Sequence, residues 1–155
     1  MNDRHDLKRR PGARFLSASR FGAMAAFALA ALFALASCAS TPVDVRFAHV
    51  QEHRIAYRVL GAGKPVVVMV SGLGDGMATF NETAAELAQS ATVIMYDRAG
   101  YGGSDAAEGA RDARAAEHEL SALLQQAGVS GPYVLLGHSV GGLYAEYYAA
   151  QHPDQ

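Results

Sequence analysis

The residues with the clearest chemical potential form a Gly-x-Ser-x-Gly pattern: Gly137-His138-Ser139-Val140-Gly141. The pattern stands between a predicted strand, 133–136, and a predicted helix that begins near Leu143. A serine on so sharp a turn has its hydroxyl lifted off the sheet, and glycines two residues before and after it avoid backbone clashes. The helix N-terminus behind the serine favours developing negative charge. The pattern therefore indicates a serine nucleophile, whereas a glycine-rich loop with a solvated serine is the alternative that the flanking elements disfavour.

The elements that must position this serine alternate between strands and helices. Rough alternation in 43–50 and 55–60 predicts an antiparallel hairpin. Continuous apolar runs predict strands buried on both faces at 66–70, 92–96 and 133–136. Apolar residues at helical spacing predict helices over 79–89, 111–127 and 143–151, with Gly128 as a C-cap. This order predicts an α/β fold with a mostly parallel sheet and flanking helices.

Two glycine-rich loops follow the first two buried strands: Ser71-Gly72-Leu73-Gly74, and the eight residues Asp-Arg-Ala-Gly-Tyr-Gly-Gly-Ser of 97–104. With the Gly-x-Ser-x-Gly turn, they resemble the α/β-hydrolase family, and the resemblance covers nearly all of 44–155. The family usually has His-Gly where this chain has Ser71-Gly72. The resemblance implies that the backbone N–H groups of Leu73 and Val140 form an oxyanion hole, and that Gly137, His138 and Gly141 shape the nucleophile elbow. Family members that open epoxides carry an aspartate nucleophile, so Ser139 points instead to acyl transfer.

A serine needs a general base, and the family supplies its acid and histidine later in the chain. Only 16 residues follow Ser139, among them His152 at the end of the last predicted helix. We expect His152 and His138 to be structural or solvated. We expect the same of His49 and His53 in the hairpin and of His118 on the exposed side of the second helix. We expect Asp97 to hold its glycine-rich loop together. The chain is accordingly interpreted as the N-terminal half of the domain, over 44–155, with strand 133–136 left as an apolar edge.

Composition limits the other functions open to the chain. Apolar residues make up 50% of it and charged residues 18%, so it is not expected to be disordered. The body after residue 37 carries seven basic and 13 acidic side chains, so we expect no nucleic-acid partner. Cys38 is the sole cysteine, which excludes an intramolecular disulfide and a cysteine-based metal site. The spacing of the glycines after strand 66–70 does not fit a dinucleotide site, and we expect no cofactor and no metal.

The N-terminus has the layout of an export signal. Basic residues precede an apolar stretch that starts at Phe21 and ends in Leu35-Ala36-Ser37-Cys38, which resembles the lipobox of bacterial lipoproteins. We therefore expect a lipoprotein-type signal over 1–37, lipidation of Cys38, a tether over 38–43 and anchoring to a membrane surface, such as the outer membrane or cell surface. An ordinary signal cleaved after Ala36, giving a periplasmic or secreted protein, and an uncleaved anchor are the alternatives.

Together these features predict a serine hydrolase that acts on small-molecule carboxylic esters or amides through an acyl-enzyme. Esterase, lipase, amidase and aminopeptidase activities all fit the same residues. Because the acid and the histidine are not found in the chain, we expect this stretch alone to be inactive. The alternative from another class is a non-catalytic product, a truncated or degenerate surface-anchored protein.

Overall fold

The first two strands form a hairpin at one edge of the sheet. A computed structural model describes residues 44–155, in which β1 (Arg46–Val50) pairs antiparallel with β2 (His53–Gly61). The chain reverses at Gln51, whose φ is 52°. The predicted hairpin is confirmed. The expectations for residues 1–43, including the signal over 1–37 and lipidation of Cys38, lie outside the described residues.

Three further strands complete a five-stranded sheet: β3 (Val66–Val70), β4 (Thr92–Tyr96) and β5 (Tyr133–Gly137). The strand order across the sheet is β1-β2-β4-β3-β5. β3 runs parallel to both β4 and β5, whereas β2 runs antiparallel to β4. Every residue of β3 and β4 is buried, as the continuous apolar runs predict. The mostly parallel sheet is therefore confirmed.

β5 lies at the edge of the sheet opposite the hairpin. Within the described residues it pairs with β3 alone, and 51% of Val134 is exposed. None of its five residues is fully buried, so the prediction of a strand buried on both faces is wrong for β5. The apolar edge expected for this strand is present in the described part of the chain.

The helices are α1 (Asn81–Leu87), α2 (Ala113–Ala127) and α3 (Val140–Gln151), with a short 3-10 helix at Met77–Phe80. The Asp112 side chain accepts a hydrogen bond of 3.0 Å from the Ala115 N–H and so caps α2. Gly128 closes this helix in the left-handed conformation, as predicted. α1 is shorter than predicted, because the first turn of the predicted helix is the 3-10 helix. α3 begins three residues earlier than predicted, directly after Ser139.

The helices cover the two faces of the sheet and divide the core in two. On one face, α2 and α3 pack on Val66, Val68 and Val70. On the other face, the 3-10 helix and α1 pack on Val67 and Met69. Alternate residues of β3 thus point into opposite cores, which fixes the register of the central strands. In the part of the chain that the structure describes, no helix has the length and apolar character that crossing a membrane requires.

Candidate active site

The turn between β5 and α3 carries Ser139 in a rare backbone conformation. β5 ends at Gly137, α3 begins at Val140, and the φ and ψ angles of Ser139 between them are 55° and −125°. L-residues seldom adopt such angles, at a cost of about 1–3 kcal/mol. The residue is exposed, and its side chain makes no capping hydrogen bond to the helix. The turn therefore presents a free hydroxyl at the N-terminus of a helix.

The glycines on either side of Ser139 are required by the closeness of neighbouring backbone. A Cβ atom on Gly137 would stand 2.5 Å from the Gly142 nitrogen and 2.6 Å from the Gly141 carbonyl carbon. A Cβ atom on Gly141 would stand 2.7 Å from the Ser71 carbonyl oxygen. Gly142 is different, because a Cβ atom there would find only the Gly137 carbonyl oxygen, at 4.0 Å. The first two glycines thus let α3 start against the ends of β5 and β3.

The loop after β3 packs directly on this turn. The His138 N–H donates to the Val70 carbonyl oxygen at 3.0 Å, which ties the turn to the end of β3. A Cβ atom on Gly72 would lie 3.3 Å from the His138 carbonyl oxygen, so the two backbones are in close contact. Parallel β3 and β5 are neighbours, and their carboxyl ends therefore meet at one edge of the sheet. Leu73 follows one of these strand ends, and Ser139 and Val140 follow the other. These are the three residues predicted to form the nucleophile and the oxyanion hole.

Both predicted oxyanion donors carry backbone N–H groups suited to that role. Val140 is the first residue of α3, and the first N–H groups of a helix have no partner within it. Among the hydrogen bonds of residues 44–155, none uses the N–H of Leu73, whose side chain is 75% exposed. Ser71, where the family usually has histidine, is fully buried, and its hydroxyl donates to the Asp75 carbonyl oxygen at 3.1 Å. The Ser71 hydroxyl thus links the start of this loop to Asp75 within the same loop.

Asp97 holds two loops and does not reach the nucleophile strand, because β3 lies between β4 and β5. Its Oδ1 accepts from the Met77 N–H at 2.6 Å, and its Oδ2 accepts from the Gly103 N–H at 2.8 Å. The Ser104 hydroxyl donates to the Asp97 carbonyl oxygen at 2.5 Å. The predicted role of Asp97 in holding the glycine-rich loop is confirmed.

No side-chain hydrogen bond or ion pair of residues 44–155 joins a histidine to Ser139. The Nδ1 of His138 lies 3.4 Å from Oδ2 of Asp75, and the His138 side chain is largely exposed. At the far end of α3, Nε2 of His152 lies 2.8 Å from Oε1 of Glu117 and its ring stacks on Tyr148 at 4.3 Å. Burial raises the pKa of Glu117, but hydrogen bonds from His152 and Ser121 outweigh it and leave that pKa lowered. His152 thus ties α3 to α2, a contact that the sequence analysis did not predict.

The sequence analysis also missed a buried ionic cluster around Glu119. This residue is 2% exposed, pairs with Arg111, and lies 3.6 Å from Nε2 of His53. Its other oxygen accepts from the Ala99 N–H at 3.4 Å. Glu119 follows Ala116 by three residues and precedes Leu123 by four, so its place on the buried helix face was readable from the spacing. The cluster borders a cleft of about 760 Å³ between the hairpin turn, residues 106–112 and α2, away from Ser139.

No three His, Cys, Asp or Glu side chains of the described residues are grouped so that they could hold a metal ion.

Comparison with known proteins agrees with this fold. An uncharacterized protein of Mycobacterium tuberculosis is 34% identical over 112 residues, which are 72% of this chain and 32% of that protein. The enol-lactonase of Burkholderia xenovorans LB400 superposes with a TM-score of 0.66 at 26% identity, over 70% of this chain and 43% of that one. The epoxide hydrolase VrEH1 of Vigna radiata gives a TM-score of 0.64 at 22% identity, over 71% and 36%, and shares the fold.

The chain spans about a third of the length of the curated relatives it matches. A family model described as alpha/beta hydrolase fold matches residues 65–155, which is more than half of the sequence. The chain therefore belongs to the α/β-hydrolase family.

Proposed function

We propose that this domain is a serine hydrolase of carboxylic esters or small amides, with Ser139 as the nucleophile. The observation that carries the proposal is the backbone of Ser139, which is held at a φ of 55° by glycines on both sides that have no room for a side chain. Strain of this kind persists where the surrounding structure imposes it, and it clusters at functional sites. Here it exposes a hydroxyl at the start of α3.

In the proposed reaction the Ser139 oxygen bonds to the acyl carbon while its proton passes to a general base. The carbonyl oxygen of the substrate becomes an oxyanion that accepts hydrogen bonds from the N–H groups of Leu73 and Val140. Collapse of this intermediate breaks the bond to the leaving alcohol or amine, which takes the proton. Water then adds to the acyl-enzyme and releases the acid and the free serine.

The general base and its acid are proposed to lie outside residues 44–155. The histidines of this stretch are engaged elsewhere or exposed, and none is bonded to Ser139. Because the chain spans about a third of the matched relatives, the activity is proposed for the protein in which this domain is complete. A non-catalytic surface protein remains the second candidate, favoured by the same lack of a base beside Ser139.

Ser139 supports one of two reaction classes found in the family. Epoxide opening in this fold uses a carboxylate nucleophile, as the family resemblance implies, whereas acyl transfer uses a hydroxyl activated by a base. The enol-lactonase that resembles this chain is named for a cyclic ester. Ester-type substrates therefore fit this chain better than epoxides.

A fluorophosphonate probe tests the proposal, because it bonds covalently to an activated serine. We expect the protein in which this domain is complete to be labelled at Ser139, and Ser139→Ala to abolish the label with the fold intact. Ser90→Ala is the matched control, since Ser90 is an exposed serine in the turn that follows α1, and its label should equal that of the wild type. Labelling no faster than that of a denatured sample would favour the non-catalytic candidate. If residues 44–155 alone are labelled at the full rate, the proposal that the general base lies outside these residues is wrong.

A further inference from the structure

Two adjacent residues at the end of β4 hold the two ends of the loop that carries Leu73. Nη2 of Arg98 donates to the Gly72 carbonyl oxygen at 2.5 Å, at the start of the loop. The Asp97 carboxylate accepts from the Met77 N–H at 2.6 Å, at its end. Both side chains are 4% exposed. The loop is therefore held at both ends by two buried side chains of opposite charge.

The guanidinium of Arg98 is itself held in place by aromatic rings. Its central carbon lies 4.5 Å from the centre of the Tyr101 ring and 5.3 Å from that of Tyr144. Tyr101 belongs to the glycine-rich loop and Tyr144 to α3, so the cation is enclosed between two elements. Its Nε is buried and has no hydrogen-bond partner among the described residues. A buried arginine whose donors are only partly used is costly, and its one side-chain hydrogen bond is directed at the Gly72 carbonyl oxygen.

The carbonyl of Gly72 and the N–H of Leu73 belong to one peptide unit. This peptide is trans, since the cis bonds of the described residues precede only Pro65 and Pro132. In a planar trans peptide the C=O and the N–H point in opposite directions. A donor that fixes the Gly72 oxygen therefore fixes the direction of the Leu73 N–H. A cation on the oxygen also polarises the unit, which makes its N–H a stronger donor.

We propose that Arg98 is a positioning residue that orients and polarises the Gly72–Leu73 peptide, so that the Leu73 N–H meets the oxyanion. The inference rests on the proposed function for the role of that N–H group. Arg98 does not touch the substrate. Its effect falls on the transition state, where the oxyanion exists, and not on binding of the uncharged ester.

The test compares Arg98→Met, which removes the cation, with Arg98→Lys, which keeps the charge without the planar fork. Arg58→Met is the matched control, because Arg58 also bonds across the fold, to Oδ1 of Asn81 at 2.9 Å, without contacting the loop. The first readout is the ¹H–¹⁵N chemical shift of the Leu73 amide in the free protein. The second is kcat and KM for p-nitrophenyl acetate, measured with the protein in which this domain is complete.

We expect the Leu73 amide proton to move upfield in Arg98→Met, less in Arg98→Lys, and to stay unchanged in Arg58→Met. Removal of one oxyanion donor lowers kcat by about 100- to 1,000-fold, so a misaligned donor should lower it by about 10- to 100-fold, with KM within about threefold of wild type. Arg98→Lys should recover part of the loss.

The two readouts separate the inference from the function on which it rests. In whichever Arg98 variant folds, a Leu73 shift equal to that of Arg58→Met overturns the inference, even if the protein hydrolyses esters. A rise in KM with kcat unchanged, which would mean that only substrate binding suffers, also overturns it. If the wild type shows no Ser139-dependent hydrolysis, the proposed function fails, and the oxyanion role of the peptide fails with it.

Discussion

At the scale of single residues, the strained backbone of Ser139 is the feature that most constrains the chain. Gln51 also has a positive φ, 52°, but it lies in a hairpin turn where left-handed residues are common. Ser139 combines a φ of 55° with a ψ of −125°, which few residues other than glycine adopt. Because glycine would adopt these angles without strain, the serine lowers the stability of the folded state while it places a hydroxyl in the turn.

Replacement of Ser139 separates this strain from the chemistry. Ser139→Gly is expected to raise the free energy of unfolding by about 1 kcal/mol, because glycine adopts these angles without a Cβ clash. Ser139→Ala keeps the Cβ atom and should change stability by less than about 0.5 kcal/mol. Urea unfolding of the two variants and the wild type measures the difference. A glycine variant no more stable than the alanine variant would mean that the turn carries no strain.

The residues of this site differ in how far the sequence could reveal them. Ser139 and its two glycines were readable, because the steric demands of a strand–turn–helix leave few residue types possible there. Asp97 was readable as a structural residue from its place after a buried strand. The partner of Arg98 was not readable, because a contact between residues 98 and 72 depends on how two loops fold over the sheet edge. Nor was His138 beside Asp75, whose 63-residue separation leaves no local pattern.

At the scale of elements, the start of α3 is set by packing against β5 and β3 and not by helix propensity. Gly141 and Gly142 are poor helix formers, which is why the sequence favours a later start near Leu143. The observed helix nevertheless includes both, because Gly141 has no side chain and the helix backbone can approach the end of β3 there. Periodicity placed the strands and α2 well, since their burial follows a simple alternation or stripe. It could not place a helix end whose position depends on tertiary contact.

The three glycines around the β5–α3 turn should differ in how replacement by alanine changes stability. Gly137→Ala and Gly141→Ala are each expected to lower the free energy of unfolding by about 3 kcal/mol, because the added Cβ overlaps backbone that cannot move alone. Gly142→Ala is the matched control, with its nearest neighbour 4.0 Å away. It should be neutral or stabilising by up to about 1 kcal/mol, since alanine favours helix. Thermal or urea unfolding measures the three losses. A loss at Gly142 equal to those at the other two positions would contradict close backbone approach as the cause, because a Cβ atom on Gly142 has room.

At the scale of the whole molecule, the hairpin is joined to the site through the glycine-rich loop. The Asp105 carboxylate accepts three hydrogen bonds from Arg54. One comes from the Arg54 backbone N–H at 3.0 Å, and the other two come from Nε and Nη2 of its side chain, both at 2.9 Å. The Asp105 N–H donates in return to the Arg54 carbonyl oxygen at 3.0 Å. The same loop bonds β2 again, where the Ala56 N–H donates to the Ser104 hydroxyl at 2.8 Å. Arg54 and Asp105 are 51 positions apart in the sequence. These bonds therefore tie the hairpin at one edge of the sheet to the loop that Asp97 and Arg98 anchor.

This connection makes part of the stability of the molecule dependent on pH. The side-chain and backbone hydrogen bonds from Arg54 lower the pKa of Asp105 from 3.8 to about 2. A carboxylate whose pKa is depressed by folding stabilises the folded state above its ordinary pKa, and this contribution is lost as the pH falls through the lower value. Asp105→Asn should therefore lower the urea midpoint modestly at pH 7 and flatten its decline between pH 4 and pH 2. Asp44→Asn is the control, because the partner of Asp44 among residues 44–155 is Arg46, two positions away in the chain. If urea titrations at pH 7, 4, 3 and 2 give Asp105→Asn the same slope as the wild type, the Arg54–Asp105 pair does not couple the hairpin to the loop in solution.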